Sequence, residues 1–403
     1  MFNNLNKKFF NYDIIKKTPL EYCERLSKLL KNNIYFKRED LQNTRSFKIR
    51  GSLNKILNTN INEEIVTCSA GNHAQGVAYV SRLLGLKANI FIPEITPLQK
   101  IDKIKYFGGN NIKLNIIGNN LTESFEGSAK FSEKNKFEFI HPFDDLDVII
   151  GQSTIVNEII FDMNCKDIDY LVVPIGGGGL ISGMTKIKDL NNNNNIKIIG
   201  VEPEGANSMQ ISMLNNKITE KKNLDTFVDG ASVSRIGKHN FDICIKDDKV
   251  DEIFTVSNNK LCKNMVDLFN YEGIITEPAG ALSVTCLEDL INLNNIENKN
   301  IICIISGGNN DILRYSEIYE KKLRYEKLVY SYEVTFLQKS GELKKFMENK
   351  SFNDIDIIEF NYKKYNNNAY GKVRISVQTH KSDQIECFEK YMNDNDIRYV
   401  RIE

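Results

Sequence analysis

From about residue 34 to residue 325, short β-branched apolar runs alternate with stretches whose apolar residues recur at helical spacing. Ile65–Cys68, Ala88–Ile92, Tyr170–Val173, Ile196–Val201 and Ile301–Ile305 read as strands, and His73–Leu84 and Val148–Phe161 as helices. Alternation of this kind predicts βαβ units and mostly parallel sheets covered on both faces, which is why the strands are apolar almost throughout. Several turns after these strands are glycine-rich, and the carboxyl edge of such a sheet is where ligands bind.

The pattern changes near residue 325. Ser331–Phe336, Ile355–Tyr362, Val373–Gln378 and Ile397–Ile402 read as strands, with Glu342–Glu348 and Gln384–Met392 as helices. The resulting order, βαββαβ, is that of a ferredoxin-like module. The expected division is therefore a larger α/β part, residues 1–325, and an appended module, residues 326–403.

Composition narrows the function. A chain of 403 residues has room for two or three domains at about 100–200 residues each. Hydrophobic residues at 41% and charged residues at 26% suit an ordinary globular protein with a sizeable core. The 53 basic and 53 acidic residues cancel, so no net field draws nucleic acid or an anionic membrane, and neither is expected as a partner. No apolar run approaches the roughly 20 residues of a membrane helix. The opening MFNNLNKKFF lacks the apolar core of a signal peptide, so a cytoplasmic protein is expected. The eight cysteines include no C-x-x-C pair, which speaks against a disulfide framework or a zinc site. The run Asn191–Asn195 reads as a solvated loop.

Five short stretches carry chemistry. In Ser46-Phe47-Lys48-Ile49-Arg50-Gly51, Lys48 opens a helical segment with Phe47 before it, a setting in which a partly desolvated amine acts as nucleophile and base. An isolated lysine is ordinarily a solvated surface residue. Ser69-Ala70-Gly71-Asn72-His73 follows a strand and starts a helix, which gathers free backbone N–H groups suited to a carboxylate. The bland alternatives are a tight turn and a helix-capping His73. Gly176-Gly177-Gly178-Gly179-Leu180 also follows a strand; four glycines let the backbone wrap an anion, and the next helix dipole favours a phosphate. It has neither the Walker lysine nor the dinucleotide spacing. Thr276-Glu277-Pro278-Ala279-Gly280 and Ser306-Gly307-Gly308-Asn309 read by themselves as structural turns.

In this order the five stretches closely resemble the fold-type II pyridoxal-phosphate enzymes and, within them, the biosynthetic threonine ammonia-lyases (threonine dehydratases). The resemblance covers nearly the whole chain. It implies an α/β catalytic part of two parallel-sheet αβα subdomains, the smaller at about residues 50–145, and a single carboxyl-terminal ACT-like domain. It implies pyridoxal 5'-phosphate as cofactor and L-threonine as substrate, giving 2-oxobutanoate and ammonium. Lys48 matches the family's Schiff-base lysine, with Phe47 beside it. Asn72 matches the partner of the cofactor's 3-oxygen; Gly176, Gly177, Gly178, Gly179 and Leu180 match the phosphate cradle. Ser306 matches the residue facing the pyridine nitrogen, and Glu277 the carboxylate lining the ring. Ser69, Gly71, His73 and Gln152 fall around the substrate carboxylate. Glu202, Ala206 and Ser208 match a monovalent-cation site for potassium, although Glu202 could equally cap the turn after its strand. A homotetramer with isoleucine and valine as effectors is further implied.

Three positions depart from the family pattern. Ser153 stands where a small residue is usual, so a positive φ there would impose strain. Lys238-His239-Asn240 differs from the family stretch, and the loop Leu337–Gly341 lacks a frequent proline. Serine racemases carry a second base where this chain has Ala70, which argues against racemisation. A broader or catabolic serine/threonine dehydratase, a non-catalytic amino-acid sensor and a nucleotide-binding Rossmann protein are the other readings.

Overall fold

Contacts divide the chain into two compact units, Met1–Ile312 and Leu313–Glu403. The structure, a computed structural model, describes residues 5, 9, 14–59, 64–163, 167–190, 195–348, 355–363 and 368–402. Of the expected Asn-rich loop, residues 191–194 lie outside that set, as does Cys165.

The first unit begins with β1 (Leu20–Tyr22), α1 (Glu24–Leu30), β2 (Asn33–Arg38), α2 (Lys48–Asn58), β3 (Ile65–Cys68), α3 (Asn72–Leu84) and β4 (Ala88–Ile92). It continues with α4 (Leu98–Gly108), β5 (Ile112–Ile116), α5 (Leu121–Asn135), β6 (Glu138–Phe139), α6 (Leu146–Gln152), α7 (Thr154–Asp162), β7 (Tyr170–Pro174) and α8 (Gly179–Met184). Then come α9 (Lys186–Leu190), β8 (Lys197–Pro203), α10 (Ser208–Leu214), α11 (Lys238–Phe241), β9 (Glu252–Val256) and α12 (Asn258–Glu272). The last elements are α13 (Pro278–Thr285), α14 (Leu287–Asn294) and β10 (Asn300–Ile305).

Two sheets result. One has the order β5-β4-β3-β6 and is parallel throughout. The other has the order β1-β2-β10-β7-β8-β9, parallel except where β1 meets β2. Every residue of β3 and β4 is buried, as expected of strands covered by helices on both faces. Separate apolar clusters support the two sheets, one around Ile65, Val77 and Ile90, the other around Leu171, Ile198 and Ile302. Ser69, Gly176 and Ser306 each follow the last residues of β3, β7 and β10, so the three motif turns sit at carboxyl ends of parallel strands.

The helix expected over Val148–Phe161 is broken at Ser153 into α6 and α7. Ser153 has φ −63°, in the right-handed region, and its hydroxyl donates to the Ile150 carbonyl at 2.7 Å. The strain anticipated from a side chain there does not arise, because the position does not use positive φ.

The second unit contains α15 (Tyr315–Tyr325), β11 (Val329–Leu337), α16 (Glu342–Met347), β12 (Ile355–Tyr362), β13 (Tyr370–Thr379), α17 (Gln384–Asp394) and β14 (Arg398–Arg401). Its antiparallel sheet has the order β12-β13-β11-β14. Tyr332, Val334, Phe346, Phe388 and Met392 form its core. From β11 onward this is the ferredoxin-like order read from the sequence. No helix among the described residues is long and apolar enough to cross a membrane.

Candidate active site

Lys48 is the first residue of α2, and the segment before it is pinned to the turn after β10. Ser46 bridges Gly307, the Phe47 N–H donates to the Ser306 carbonyl at 3.1 Å, and the Gly308 N–H donates to the Arg45 carbonyl at 2.9 Å. Two residues into the helix, the fully buried Arg50 pairs with Glu39 at 2.8 Å and Glu158 at 2.6 Å. Lys37, also fully buried, pairs with Glu158 at 2.6 Å. Two cations and two carboxylates thus tie α2 to β2 and α7. The Lys48 amine donates to the Pro142 carbonyl at 2.8 Å and lies 5.3 Å from the Phe47 ring centre. Burial lowers its pKa from the usual lysine value to about 8, against the opposing pull of the Glu277 charge.

The turn after β3 presents Asn72 and His73 at the start of α3. The Asn72 amide donates to Glu277 at 2.6 Å, and the Asn309 amide donates to the Asn72 oxygen at 2.8 Å. Burial, reinforced by the Asp229 charge, pushes the Glu277 carboxyl up to about 7 while the Asn72 donor works against it. His73 Nε2 lies 3.0 Å from the Ile140 carbonyl, an acceptor, so that nitrogen carries the hydrogen. Burial drives the His73 pKa down to about 3, which keeps the ring neutral. Its Nδ1 is buried and has no partner among the described residues. The Gly71 N–H donates to Ser69 Oγ at 3.2 Å.

The turn after β7 carries the four glycines. Gly178 has φ +97°, a conformation that disfavours any side chain. A Cβ on Gly177 would lie 2.3 Å from Cγ of Phe143, and one on Gly178 would lie 2.7 Å from Cβ of Asn240. Leu180 points into the apolar core beneath the sheet. Ser306 is buried, and its hydroxyl donates to the Ala279 carbonyl at 3.4 Å. Gln152 is buried in α6 against Gly51, its side-chain oxygen without a partner among the described residues.

Glu202 stands at the end of β8, and its carboxylate accepts from the Met209 and Gln210 N–H groups at 2.9 and 2.8 Å. It therefore caps α10, and burial pushes its pKa up to about 8. Ala206 and Ser208 are buried beside it, and the Ser208 hydroxyl has no partner among the described residues.

Lys48, Asn72, His73, Glu277 and Ser306 thus lie in one connected region, which the segment Pro142–Phe143 joins to the glycine turn. Two connecting pieces were missed in the sequence. The first is the segment His141–Asp145 between β6 and α6: its Pro142 carbonyl meets Lys48 and its Phe143 ring covers Gly177. His141 Nδ1 closes this turn by accepting from the N–H groups of Phe143 and Asp144 at 3.2 and 2.8 Å. Burial holds the His141 pKa down at about 4. The His-Pro pair after a strand and the Asp pair before a helix were the available signal. The second piece is Asn240.

Residues 12–307 match the family described as pyridoxal-phosphate dependent enzyme, and residues 320–403 match the C-terminal regulatory domain of threonine dehydratase. The chain is 41% identical over 403 residues to the L-threonine dehydratase biosynthetic IlvA of Staphylococcus epidermidis, covering 96% of this chain and 94% of that protein. The corresponding protein of Corynebacterium glutamicum is 39% identical over 396 residues, covering 97% and 90%. Among solved structures, the processed form of threonine deaminase isoform 2 from Solanum lycopersicum superposes with a TM-score of 0.72 at 35% identity, covering 79% of this chain and 94% of that one. Maize serine racemase superposes with a TM-score of 0.71 at 28% identity, covering 80% and 97%. Racemases and dehydratases share the fold, so the choice between them rests on the site.

Proposed function

We propose that this chain, which belongs to the pyridoxal-phosphate dependent enzyme family and within it to the biosynthetic threonine dehydratases, deaminates L-threonine to 2-oxobutanoate and ammonium. The observation that carries the reading is Lys48: an amine at the start of a rigidly anchored helix, with a pKa near neutrality, beside Glu277 and the Asn72 turn.

The residues present fit the cofactor. The amine can join an aldehyde, the glycine turn has no Cβ to block the approach of an anion to its backbone and no room for one against Phe143 and Asn240, and residue 306 is a serine with no carboxylate to demand a protonated ring nitrogen. When bound, pyridoxal phosphate supplies the aldehyde that captures the substrate amine and the conjugated ring that spreads negative charge from Cα. Lys48 Nζ, in its neutral form, takes the α-proton. Asn72 is held by Glu277 and Asn309 and keeps one amide hydrogen for the cofactor's 3-oxygen. Gly176, Gly177, Gly178, Gly179 and Leu180 would hold the phosphate, with Phe47 beside Lys48. Ser69, Gly71, His73 and Gln152 hold the substrate carboxylate. Facing the ring nitrogen, the Ser306 hydroxyl would not hold it protonated as a carboxylate would, which would favour loss of the β-hydroxyl. The released enamine then hydrolyses to the keto acid and ammonium. Ala70 provides no base on the opposite face, which supports elimination over racemisation.

The reading extends to residues 326–403 as an ACT-like module that binds isoleucine and valine as effectors, to a homotetramer in the cytoplasm, and to potassium at Glu202, Ala206 and Ser208. A pocket in the second unit, lined in part by Phe336, Glu342, Lys345, Phe346, Tyr391 and Arg398, offers apolar walls and both charges for an α-amino acid.

Initial rates with threonine and with serine, each with and without isoleucine and valine, test the proposal. Threonine turnover slowed by isoleucine is expected. A protein with no borohydride-sensitive chromophore and no 2-oxobutanoate production would sink it.

A further inference from the structure

Asn240 belongs to the stretch Lys238-His239-Asn240 that the family resemblance left without an account. It is a fully buried polar residue in α11, far in sequence from both elements it touches. Its amide nitrogen donates to the Gly177 carbonyl at 2.8 Å and to the Phe143 carbonyl at 3.2 Å. Its amide oxygen accepts from the Ser182 hydroxyl at 2.9 Å, so the orientation of the amide is dictated by its partners. Both hydrogens are spent on carbonyls, one from the glycine turn and one from the segment that meets Lys48.

A second clasp lies outside the first. The Asp144 carboxylate accepts from the Lys238 and His239 N–H groups, each at 2.9 Å, and from the His239 ring at 3.0 Å. The Gly237 N–H donates to the same Gly177 carbonyl at 3.1 Å. The Gly177 carbonyl is therefore held by two donors from one short segment.

That arrangement has a geometric consequence. In a trans peptide the carbonyl and the next N–H point in opposite directions, and no cis peptide occurs among the described residues. Pinning the Gly177 carbonyl toward Asn240 turns the Gly178 N–H the other way. Gly178 at φ +97° then leads into α8, so the orientation of the donors at this turn is set from behind. Packing alone would not do this, because a glycine turn has no side chains with which to hold itself.

We propose that Asn240 is a positioning residue for cofactor binding: by clamping the Gly177 carbonyl to the Phe143 carbonyl, it presents the backbone N–H groups of the glycine turn to the phosphate. This rests on the pyridoxal-phosphate reading given above. Asn240 touches neither cofactor nor substrate, and its influence passes through the turn.

The test compares the affinity of the enzyme for pyridoxal phosphate with that for pyridoxal, which lacks the phosphate. Holoenzyme is dialysed against fixed free concentrations of each, and bound chromophore is read by absorbance. Asn240→Asp keeps the shape but replaces the double donor by a group that repels both carbonyls. It is expected to weaken pyridoxal phosphate about tenfold or more and to leave pyridoxal within about twofold, as lost charge-directing hydrogen bonds would do. The phosphorus resonance of bound cofactor should shift in parallel. Should Asn240→Asp fail to fold, Ser182→Ala frees the amide to turn and should produce the same phosphate-specific loss at a few-fold. Equal losses for both ligands, a loss for pyridoxal alone, or no loss in either would overturn the proposal. A wild-type protein that retains no pyridoxal phosphate would instead overturn the functional reading beneath it.

Discussion

The amine of Lys48 and the carbonyl oxygen of Pro142 lie 2.8 Å apart across 94 residues of chain. The contact gives the amine one hydrogen-bond acceptor and no ion pair. Desolvation therefore governs its charge, and its pKa falls to about 8.

Replacing Lys48 by alanine should abolish 2-oxobutanoate production while leaving the circular dichroism spectrum and the thermal midpoint close to wild type. Only this side chain supplies both a nucleophilic amine and an acceptor for the α-proton. More than a trace of turnover in Lys48→Ala would overturn the assignment.

The same shift predicts a pH profile. A lowered pKa means that the neutral amine becomes available at lower pH than for an ordinary lysine, whose pKa is about 10.4. The value of kcat, which reports the complex with substrate in which the Lys48 amine is free, should rise with pH up to about 8 and then level off. Glu277 opposes the shift, so Glu277→Gln removes the charge that favours the ammonium, and the rising limb should move to lower pH. A limb displaced upward in that variant would contradict the account.

Arg50→Met should be strongly destabilising. It leaves Glu39 and Glu158 buried with only Lys37 to compensate, a loss of about 3–5 kcal/mol in urea unfolding. A loss below about 1 kcal/mol would mean that water reaches the network, as at exposed pairs.

Isoleucine should bind the full-length protein by calorimetry and slow threonine turnover. Arg398→Ala, in the wall of the second unit's pocket, should weaken that binding about tenfold by removing one charged partner of the amino-acid carboxylate. Its rate without isoleucine should remain that of wild type. A calorimetric trace without heat for the intact chain would leave the module with a structural role.

Exchanging potassium for tetramethylammonium should lower activity if Glu202 and the Ser208 hydroxyl hold a cation beside the glycine turn. Glu202→Gln should respond less to the exchange. Equal rates in both salts would leave Glu202 as the cap of α10 alone, a role its bonds to Met209 and Gln210 already perform.

Most of the fold could be read along the chain. The apolar runs Ile65–Cys68, Ala88–Ile92 and Ile301–Ile305 became β3, β4 and β10 nearly residue for residue, because burial on both faces makes these strands apolar at almost every position. The βαββαβ order of the carboxyl-terminal module was equally plain, since period-two and helical spacing are local signals. Whether Ser153 is strained was not legible in the sequence, because its φ depends on the break between α6 and α7.

By itself the sequence determined the order of strands and helices, the family, and the turns that bear Lys48, Asn72, the four glycines and Ser306. Each of these is written in neighbouring residues. Tertiary structure alone decided what stands behind those turns: Pro142 against Lys48, Phe143 across Gly177, and Asn240 and Asp144 joining two loops about 95 residues apart. The reason is geometric. These partners belong to loops brought together by two sheets whose neighbouring strands come from distant parts of the chain, with β10 between β2 and β7, and no local spacing encodes such a meeting.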